Sequence, residues 1–238
     1  LTMDSSAIGR LSCNPAVGGL AKSHLVKELD ALGGIMGLAS DINALQYKTL
    51  NKTKGRAVWS TRIQVDKKKY PLFIQKKIKG DKNITIVEDE AIKLKVVSGA
   101  VVGITTKNGL FLSCEAVVIT CGTFLNGLIH VGQNTFRAGR LGEVGSYGLT
   151  ENLIDLGFST GRLKTGTPPR ISKKSINLDS VDLAPGDTSF TSFSLITKNK
   201  KSFKQENCYL INTNRDVHDI ISENLHLSAM FSGKVSGV

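Results

Sequence analysis

Apolar residues change their period several times along this chain, and those changes divide it into elements. Between residues 83 and 112 the period is two. Asn83-Ile84-Thr85-Ile86-Val87, Ala91-Ile92-Lys93-Leu94-Lys95-Val96-Val97, Ala100-Val101-Val102-Gly103-Ile104-Thr105 and Leu110-Phe111-Leu112 read as strands with alternate side chains on one face. Ser98-Gly99 and Lys107-Asn108-Gly109 mark the turns, the second a strong hairpin signal. The continuous apolar run from Glu115 to Phe124 reads as a buried parallel strand that stops abruptly at Thr120-Cys121-Gly122. The carboxyl end of such a strand is where an open α/β sheet puts its ligand, so Gly122 and Thr123 become candidate binding residues.

Helical spacing appears on both sides of these strands. Asn14 can cap a helix running to about Leu32, with Pro15 at its first position, Leu25, Leu29 and Leu32 on one face, and Gly33-Gly34 as the left-handed stop. Gly18-Gly19 in its first turns costs roughly 1 kcal/mol each against alanine, which implies that a ligand or another backbone approaches there. Residues 35–61 read as loop with short strands. Residues 61–79 read as helical, with Val65, Tyr70, Phe73, Ile74 and Ile78 among lysines and Pro71 enforcing a kink or two pieces. A short helix is expected over 150–156, closed by Gly157. Another is capped by Asn214, with Asp216 in its first turn and Val217, Ile220, Ile221 and Leu225 inward.

Composition narrows the class. The chain has 238 residues, 40% apolar and 21% charged, which is globular rather than disordered. No apolar run approaches the roughly 18 residues of a membrane span. Both ends look cut, since Leu1-Thr2-Met3-Asp4 is neither a signal peptide nor a natural start. The net charge of +11 suits a polyanion such as nucleic acid. Many of the lysines, however, lie in short surface runs such as Lys67-Lys68-Lys69 and Lys198 with Lys200-Lys201. Cys13, Cys114, Cys121 and Cys208 form no C-x-x-C pair, and the four histidines are scattered, so no metal site is expected.

Three basic loops look built to approach an anion. Asn51-Lys52-Thr53-Lys54-Gly55-Arg56 runs into Trp59, a pairing that can clamp a phosphate and stack a ring, although such a tryptophan more often fills a core. Arg137-Ala138-Gly139-Arg140-Leu141-Gly142 has no apolar period, and its arginines and backbone N–H groups could meet phosphates, or it is a plain surface loop. Gly161-Arg162-Leu163-Lys164-Thr165-Gly166-Thr167-Pro168-Pro169-Arg170 is rigid and cationic. These stretches make Lys54, Arg56, Arg140, Arg162, Lys164 and Arg170 the candidate phosphate contacts. After Ile171 the composition turns to Ser, Thr, Asp and Lys, with Phe190, Phe193 and Phe203 between. A boundary is therefore expected near 170, with strands at 188–197 and 207–213 in a smaller domain. Cys13, just before a helix N-terminus, reads either as a small buried residue or as a thiol favoured as an anion. His218 lies near a helix start, where its proton could serve or where it is simply solvated.

Helix, strand, β-meander and abrupt strand is the order of dinucleotide-binding α/β domains, a fold-level analogy. The residues themselves carry a closer likeness. Ser12-Cys13-Asn14-Pro15-Ala16-Val17-Gly18-Gly19, Gly122-Thr123-Phe124-Leu125-Asn126-Gly127, Gly161 to Arg170, Cys208-Tyr209 and His218-Asp219-Ile220-Ile221, in this order, resemble the MnmG (GidA) family. The likeness runs over roughly 8–238. It implies an α/β fold: a FAD/NAD(P)-binding, Rossmann-like domain with a β-meander (1–170) and an inserted smaller α+β domain (171–238), truncated at both ends.

The resemblance also implies an activity. The family's flavoproteins add a carboxymethylaminomethyl or aminomethyl group to C5 of the wobble uridine of tRNA, with a folate-derived methylene carried on FAD and NADH as reductant. A GTPase partner, MnmE, a homodimer of the full-length protein, and a cytoplasmic or mitochondrial-matrix location are implied with it. Cys208 and Cys13 match the two cysteines that this chemistry depends on. Cys208 is the expected attacking thiol and Cys13 the second, an assignment that could be reversed. Ala91 and Ser146 match FAD contacts, and 204–218, with Asn212, Thr213, Asn214 and His218, matches a segment linked to NAD. The chain departs from the pattern in having no G-x-G-x-x-G, in Arg56 where the family usually has proline, and in Trp59. It is therefore expected to bind FAD weakly and to be inactive alone. Three rival readings are a folate- and FAD-dependent methyltransferase of the T-loop uridine, a non-catalytic tRNA-binding scaffold, and a simple NADH:flavin oxidoreductase.

Overall fold

A computed structural model describes residues 1–197, 204–233 and 235. The expectations on Lys198, Lys200, Lys201 and Phe203 lie outside the described residues. The chain forms two compact units that interleave in sequence: a hairpin unit of Ser6–Thr85 with Thr167–Asn212, and a meander unit of Leu1–Ser5, Ile86–Gly166 and Thr213–Val238. One crossing between them falls at Gly166–Thr167.

The hairpin unit is built on a three-stranded antiparallel sheet in the order β1 (Ala16–Gly18), β3 (Ser60–Val65), β2 (Ala44–Leu50). The helix expected from Asn14 does not start there. Residues 16–18 form β1 instead, and α1 covers only Ser23–Ala31. Gly18 and Gly19 have φ of +84° and +94°, values a right-handed helix excludes, and a Cβ on Gly18 would lie 2.3 Å from the Thr61 carbonyl oxygen. The close approach implied by these glycines is thus that of the β3 backbone. Cys13 consequently precedes a strand rather than a helix. Gly33, at φ +87°, does terminate α1. The face of α1 that packs carries Ser23 and Val26, because the small Ser23 lets the helix close on Ser60. Leu25, Leu29 and Leu32 are exposed, Leu32 by 87%.

A second helix, α2 (Met36–Ile42), occupies part of the stretch read as loop; its Gly37, Ala39 and Ser40 are small enough to bury. Residues 60–65 are strand, not helix, and α3 (Lys69–Lys79) begins only after Asp66. Pro71 sits in the first turn of α3, where its missing N–H has no helical acceptor to lose, so it produces no kink. Val17, Val26, Ala39, Tyr47, Ile63, Val65, Tyr70, Ile74 and Phe193 form the core of this unit. Residues 188–197 are not a strand. The Asp41 carboxylate accepts from Phe193 N and Ser194 N, both at 2.9 Å, and from Thr197 Oγ1 at 2.6 Å. Helix carboxylates thus take the place of a ladder. β9 (Asp182–Ala184) pairs antiparallel with β10 (Cys208–Leu210), a shorter strand than 207–213.

In the meander unit the period-two reading holds: β4 (Ala91–Val97), β5 (Ala100–Thr106) and β6 (Phe111–Ser113) form an antiparallel sheet in sequence order. Residues 83–87 form no strand, and Glu88 makes only an isolated bridge with Thr2. The run 115–124 is not a buried strand either. No strand among the described residues pairs with it, and Val118 is 85% exposed. A parallel strand takes its hydrogen bonds from neighbours, and apolar sequence alone does not supply them. A hairpin of β7 (Leu128–Val131) and β8 (Asn134–Arg137) interrupts the glycine-rich region, turning at Gly132 with φ +56°. Arg137 therefore belongs to a strand rather than a loop. α4 (Leu149–Asp155) and α5 (Arg215–Glu223) form as expected, α5 with the Asn214 side chain accepting from Val217 N. Val217, Ile220, Ile221 and Leu225, expected inward, are exposed.

Candidate functional site

The best-defined chemical group in the hairpin unit is the Cys208 thiol. β10 carries it opposite Ala184, and it is half-buried. Its Sγ donates to Gln46 Oε1 at 3.3 Å. Gln46, on β2, is 4% exposed, and its Nε2 donates to the carbonyls of Ala184 at 3.0 Å and Glu206 at 3.1 Å. Both amide hydrogens are thereby engaged, which turns the oxygen toward the sulfur. One buried amide thus ties β2 to β9 and to the start of β10 and fixes where the thiol stands.

The edge of β2 is sealed by the same segments. Tyr47 N donates to Gln205 Oε1 at 2.7 Å, Thr49 N donates to Asp187 Oδ2 at 2.8 Å, and Glu206 N donates to Leu45 O at 2.8 Å. Burial alone would raise the Asp187 carboxyl, yet Lys52 Nζ at 2.9 Å and the Thr49 amide hold it below the ordinary aspartate range. Asp41 goes the other way: burial outweighs its hydrogen bonds and pushes its carboxyl up.

Cys13 is exposed, in the loop before β1. Arg170 clasps this loop, its guanidinium donating to the carbonyls of Ser12 and Cys13. Lys54 and Arg56 stand in two short 3-10 turns between β2 and β3. Trp59 follows, and the core reading of it is overturned: it is 44% exposed. Its Nε1 donates to Lys52 O at 3.3 Å, and the Arg56 guanidinium lies over its ring, 5.6 Å from the centroid.

The other candidates belong to the meander unit, apart from Asn212, which is exposed in the hairpin unit. Ala91 opens β4 and Ser146 is buried; both flank the Glu90 carboxylate, which accepts from Tyr147 N at 3.0 Å and Lys107 Nζ at 3.0 Å. Burial would raise Glu90, but Lys107, Tyr147 N and Ser146 bring it below its ordinary value. Gly122 stands at φ +56° in an exposed turn, and Thr123 Oγ1 donates to Gly139 O at 2.8 Å. Arg140 is ion-paired with Glu143 at 2.8 Å and lies 4.9 Å from the Phe124 ring centroid. Arg162 donates to Asn126 O from both terminal nitrogens, at 3.3 and 3.2 Å, and Lys164 is exposed. Thr213 Oγ1 and His218 Nε2 share a hydrogen bond of 2.8 Å beside the Asn214 cap.

A flavin fits this set only in part. The open peptide around Gly122 could meet a ring edge or a sugar hydroxyl, whereas Thr123 Oγ1 is already engaged with Gly139. None of these residues forms a glycine cradle for a diphosphate. Gln46, Glu90 and Asn126 escaped sequence reasoning. Gln46 is a polar residue inside a strand that buries it, and no local signal shows this.

A family model described as glucose inhibited division protein A matches residues 1–238. The chain is 46% identical over 237 residues to a Thermodesulfovibrio yellowstonii protein named tRNA uridine 5-carboxymethylaminomethyl modification enzyme MnmG, covering 100% of this chain and 38% of that one. It is 43% identical over 238 residues to the Bacteroides thetaiotaomicron protein of the same name, with the same two coverages. Aquifex aeolicus GidA, in its form I crystal, superposes with a TM-score of 0.91 at 40% identity over 100% of this chain and 40% of that chain. The chain thus spans about 38% of the length of the curated relatives it matches.

Proposed function

Because the chain belongs to the glucose inhibited division protein A (GidA, MnmG) family, we propose that it is part of a flavoenzyme that modifies C5 of the wobble uridine of tRNA. The group added is carboxymethylaminomethyl or aminomethyl, and the work is shared with an MnmE-type GTPase by a homodimer of the full-length protein in the cytoplasm or mitochondrial matrix. FAD, when bound, supplies a folate-derived methylene, with NADH as reductant. Residues 1–170 form the FAD-side domain and 171–238 the inserted NAD- and substrate-side domain. Ala91, Gly122, Thr123 and Ser146 face FAD, and Asn212, Thr213, Asn214 and His218 face NADH. Lys54, Arg56, Arg140, Arg162, Lys164 and Arg170 meet RNA phosphates.

The observation that carries the reading is the half-buried Cys208 thiol, held on β10 by a buried amide. C5 of uracil is a poor nucleophile until something adds to C6. The sulfur would form a bond to C6, and the displaced electron pair would make C5 an enolate carbon, able to take up the one-carbon electrophile that FAD would supply when bound. Loss of the C5 proton then restores the double bond as the S–C6 bond breaks. Ionising the sulfur would set a negative atom against Gln46 Oε1, so the thiol must turn from that oxygen to attack. Cys13 is the second thiol, in flavin or proton chemistry.

The test replaces Cys208 by serine in the intact gene, returns it to cells lacking that gene, and reads the wobble uridine by mass spectrometry. The unmodified base is expected to persist while FAD binding is kept. Normal wobble modification overturns the role of Cys208, and loss at the T-loop uridine instead selects the methyltransferase. Alone, the 238-residue chain, with no G-x-G-x-x-G, binds FAD weakly or not at all and is inactive. Tight stoichiometric flavin binding contradicts that.

A further inference from the structure

One cavity of the meander unit has no part in the chemistry assigned to Cys208 and Cys13. It measures about 280 Å³, and its polar lining is Asn126, Gly127, Arg137, Tyr147, Glu151 and Arg162. Pockets that bury a drug-sized ligand run to roughly 300–1,000 Å³, so this one suits a single charged group rather than a whole nucleotide. Its two guanidiniums come from different elements. Arg137 ends β8 and lies over the Tyr147 ring, 4.7 Å from the centroid. Among the described residues it has that ring contact but no ion pair. Contact through a ring face leaves the N–H donors of a guanidinium for an acceptor. Arg162, from the segment after α4, gives one N–H from each terminal nitrogen to Asn126 O, at 3.3 and 3.2 Å. Its remaining donors are open to a ligand.

The carboxylate in this lining is already satisfied. Glu151 Oε1 accepts from Asn126 Nδ2 at 2.8 Å, and its Oε2 accepts from Gly148 N at 3.0 Å. The Asn126 bond foremost, with smaller contributions from Gly148 N and the Arg137 charge, holds its carboxyl below the ordinary glutamate value. Glu151 is therefore charged near neutrality. Asn126 stands at φ +47° in the left-handed region, and its N donates to Ser146 O at 2.9 Å. A backbone strained there, yet fixed through its N, its O and its side chain, fits a preorganised binding site. Two guanidiniums and one carboxylate leave the cavity one positive charge in excess. That excess matches a phosphodiester, which carries a single negative charge, and not the near-dianion of a free phosphate.

We propose that this cavity seats one phosphodiester of the RNA backbone, with Arg137 and Arg162 donating to the same phosphate. The proposal rests on the reading that tRNA is the substrate. It adds Arg137 to the phosphate contacts and gives Arg162 a partner in one seat. Tyr147 is a positioning residue that holds Arg137 through its ring. Glu151 positions Asn126, whose carbonyl in turn orients Arg162. A carboxylate carries the same single charge, but one guanidinium fork suffices to meet it. Two forks, from β8 and from the segment after α4, can hold a tetrahedral group from two sides. The net charge of +11 supplies the long-range attraction for the polyanion.

The experiment titrates the full-length protein with labelled tRNA and reads fluorescence anisotropy as salt rises from about 50 to 200 mM. Arg137→Gln and Arg162→Gln are each expected to lower the slope of log affinity against log salt by about 0.7–0.9, the share of one phosphate. Because both hold the same phosphate, the double variant is expected to lower it no further. Arg137→Lys keeps the charge and the slope but loses affinity with the fork. A double variant whose slope falls twice as far shows two separate contacts and overturns the shared seat. Single variants with unchanged slopes overturn the seat and leave the tRNA reading standing. Calorimetry with inorganic phosphate and with acetate is the second arm. Binding of either that Arg137→Gln abolishes, beside unchanged tRNA affinity, assigns the cavity to a free anion and overturns the RNA partner. A full-length protein that binds no tRNA overturns both readings. Circular dichroism of each variant confirms that the fold is intact.

Discussion

At the scale of single residues, Gln46 and Gly18 carry more than their sequence neighbourhood suggests. Gln46→Leu removes the donors of two carbonyls and the acceptor of the Cys208 thiol. Leaving buried polar groups unmet costs about 1–3 kcal/mol each, so a loss of about 2–5 kcal/mol is expected in urea unfolding. Gly18→Ala is expected to be at least as damaging. Its φ is +84°, and the new methyl would press on Thr61 O and on the Phe193 ring, with distances of 2.3 and 2.5 Å. The same unfolding midpoint checks it, with Gly55→Ala, which meets nothing within 4 Å, as the milder comparison. Sequence reasoning picked out Gly18 because glycine is expensive in a helix. It could not find Gln46, because burial of one polar side chain depends on segments 138 and 160 residues away.

Among elements, α3 shows how a carboxylate just ahead of a helix bears on both its start and its pH response. Asp66 accepts from Lys68 N at 2.9 Å and Lys69 N at 3.0 Å, and those bonds hold its carboxyl below the ordinary value. A group lowered in the folded state adds stability above the unfolded aspartate pKa of about 3.9, and that stability is lost as pH falls through the lower, folded value. Losing the two hydrogen bonds in Asp66→Ala is expected to cost about 1 kcal/mol near neutrality and to flatten the acid limb of a stability–pH curve. Asp41 has the opposite sign. Raised by burial, it lowers stability as pH climbs from the ordinary aspartate pKa through its own. Its effect should therefore appear as a decline on the alkaline side of that value, measured by thermal melts from pH 3 to 7 (an approximate range set by the ordinary carboxylate values). The meander and α5 were legible because period, turns and cap agree locally. The helix expected from Asn14 was not, since β1 exists only by pairing with β3, 46 residues on at Ile63 from Val17.

On the scale of the whole molecule, charge and open apolar faces govern behaviour. Leu32, Val118 and Leu195 are each at least 85% exposed, and α5 leaves its apolar face open. The 238-residue chain is expected to bind a hydrophobic dye under native conditions. Absence of dye fluorescence before the unfolding transition would show these faces to be covered. No helix among the described residues is long and apolar enough to cross a membrane.

The amino-acid sequence by itself determined the β-meander, the capped α5, the basic character of the loops, and the ordered motifs that mark the family. All of these arise from contacts a few residues apart or from residue identity. Tertiary structure alone decided that residues 16–18 are a strand, that residues 115–124 form none with any of the described residues, that Trp59 faces solvent, and that Gln46 meets Cys208. Sheet pairing and burial are settled by partners distant in sequence, and a polar or apolar pattern cannot say which partner will be there.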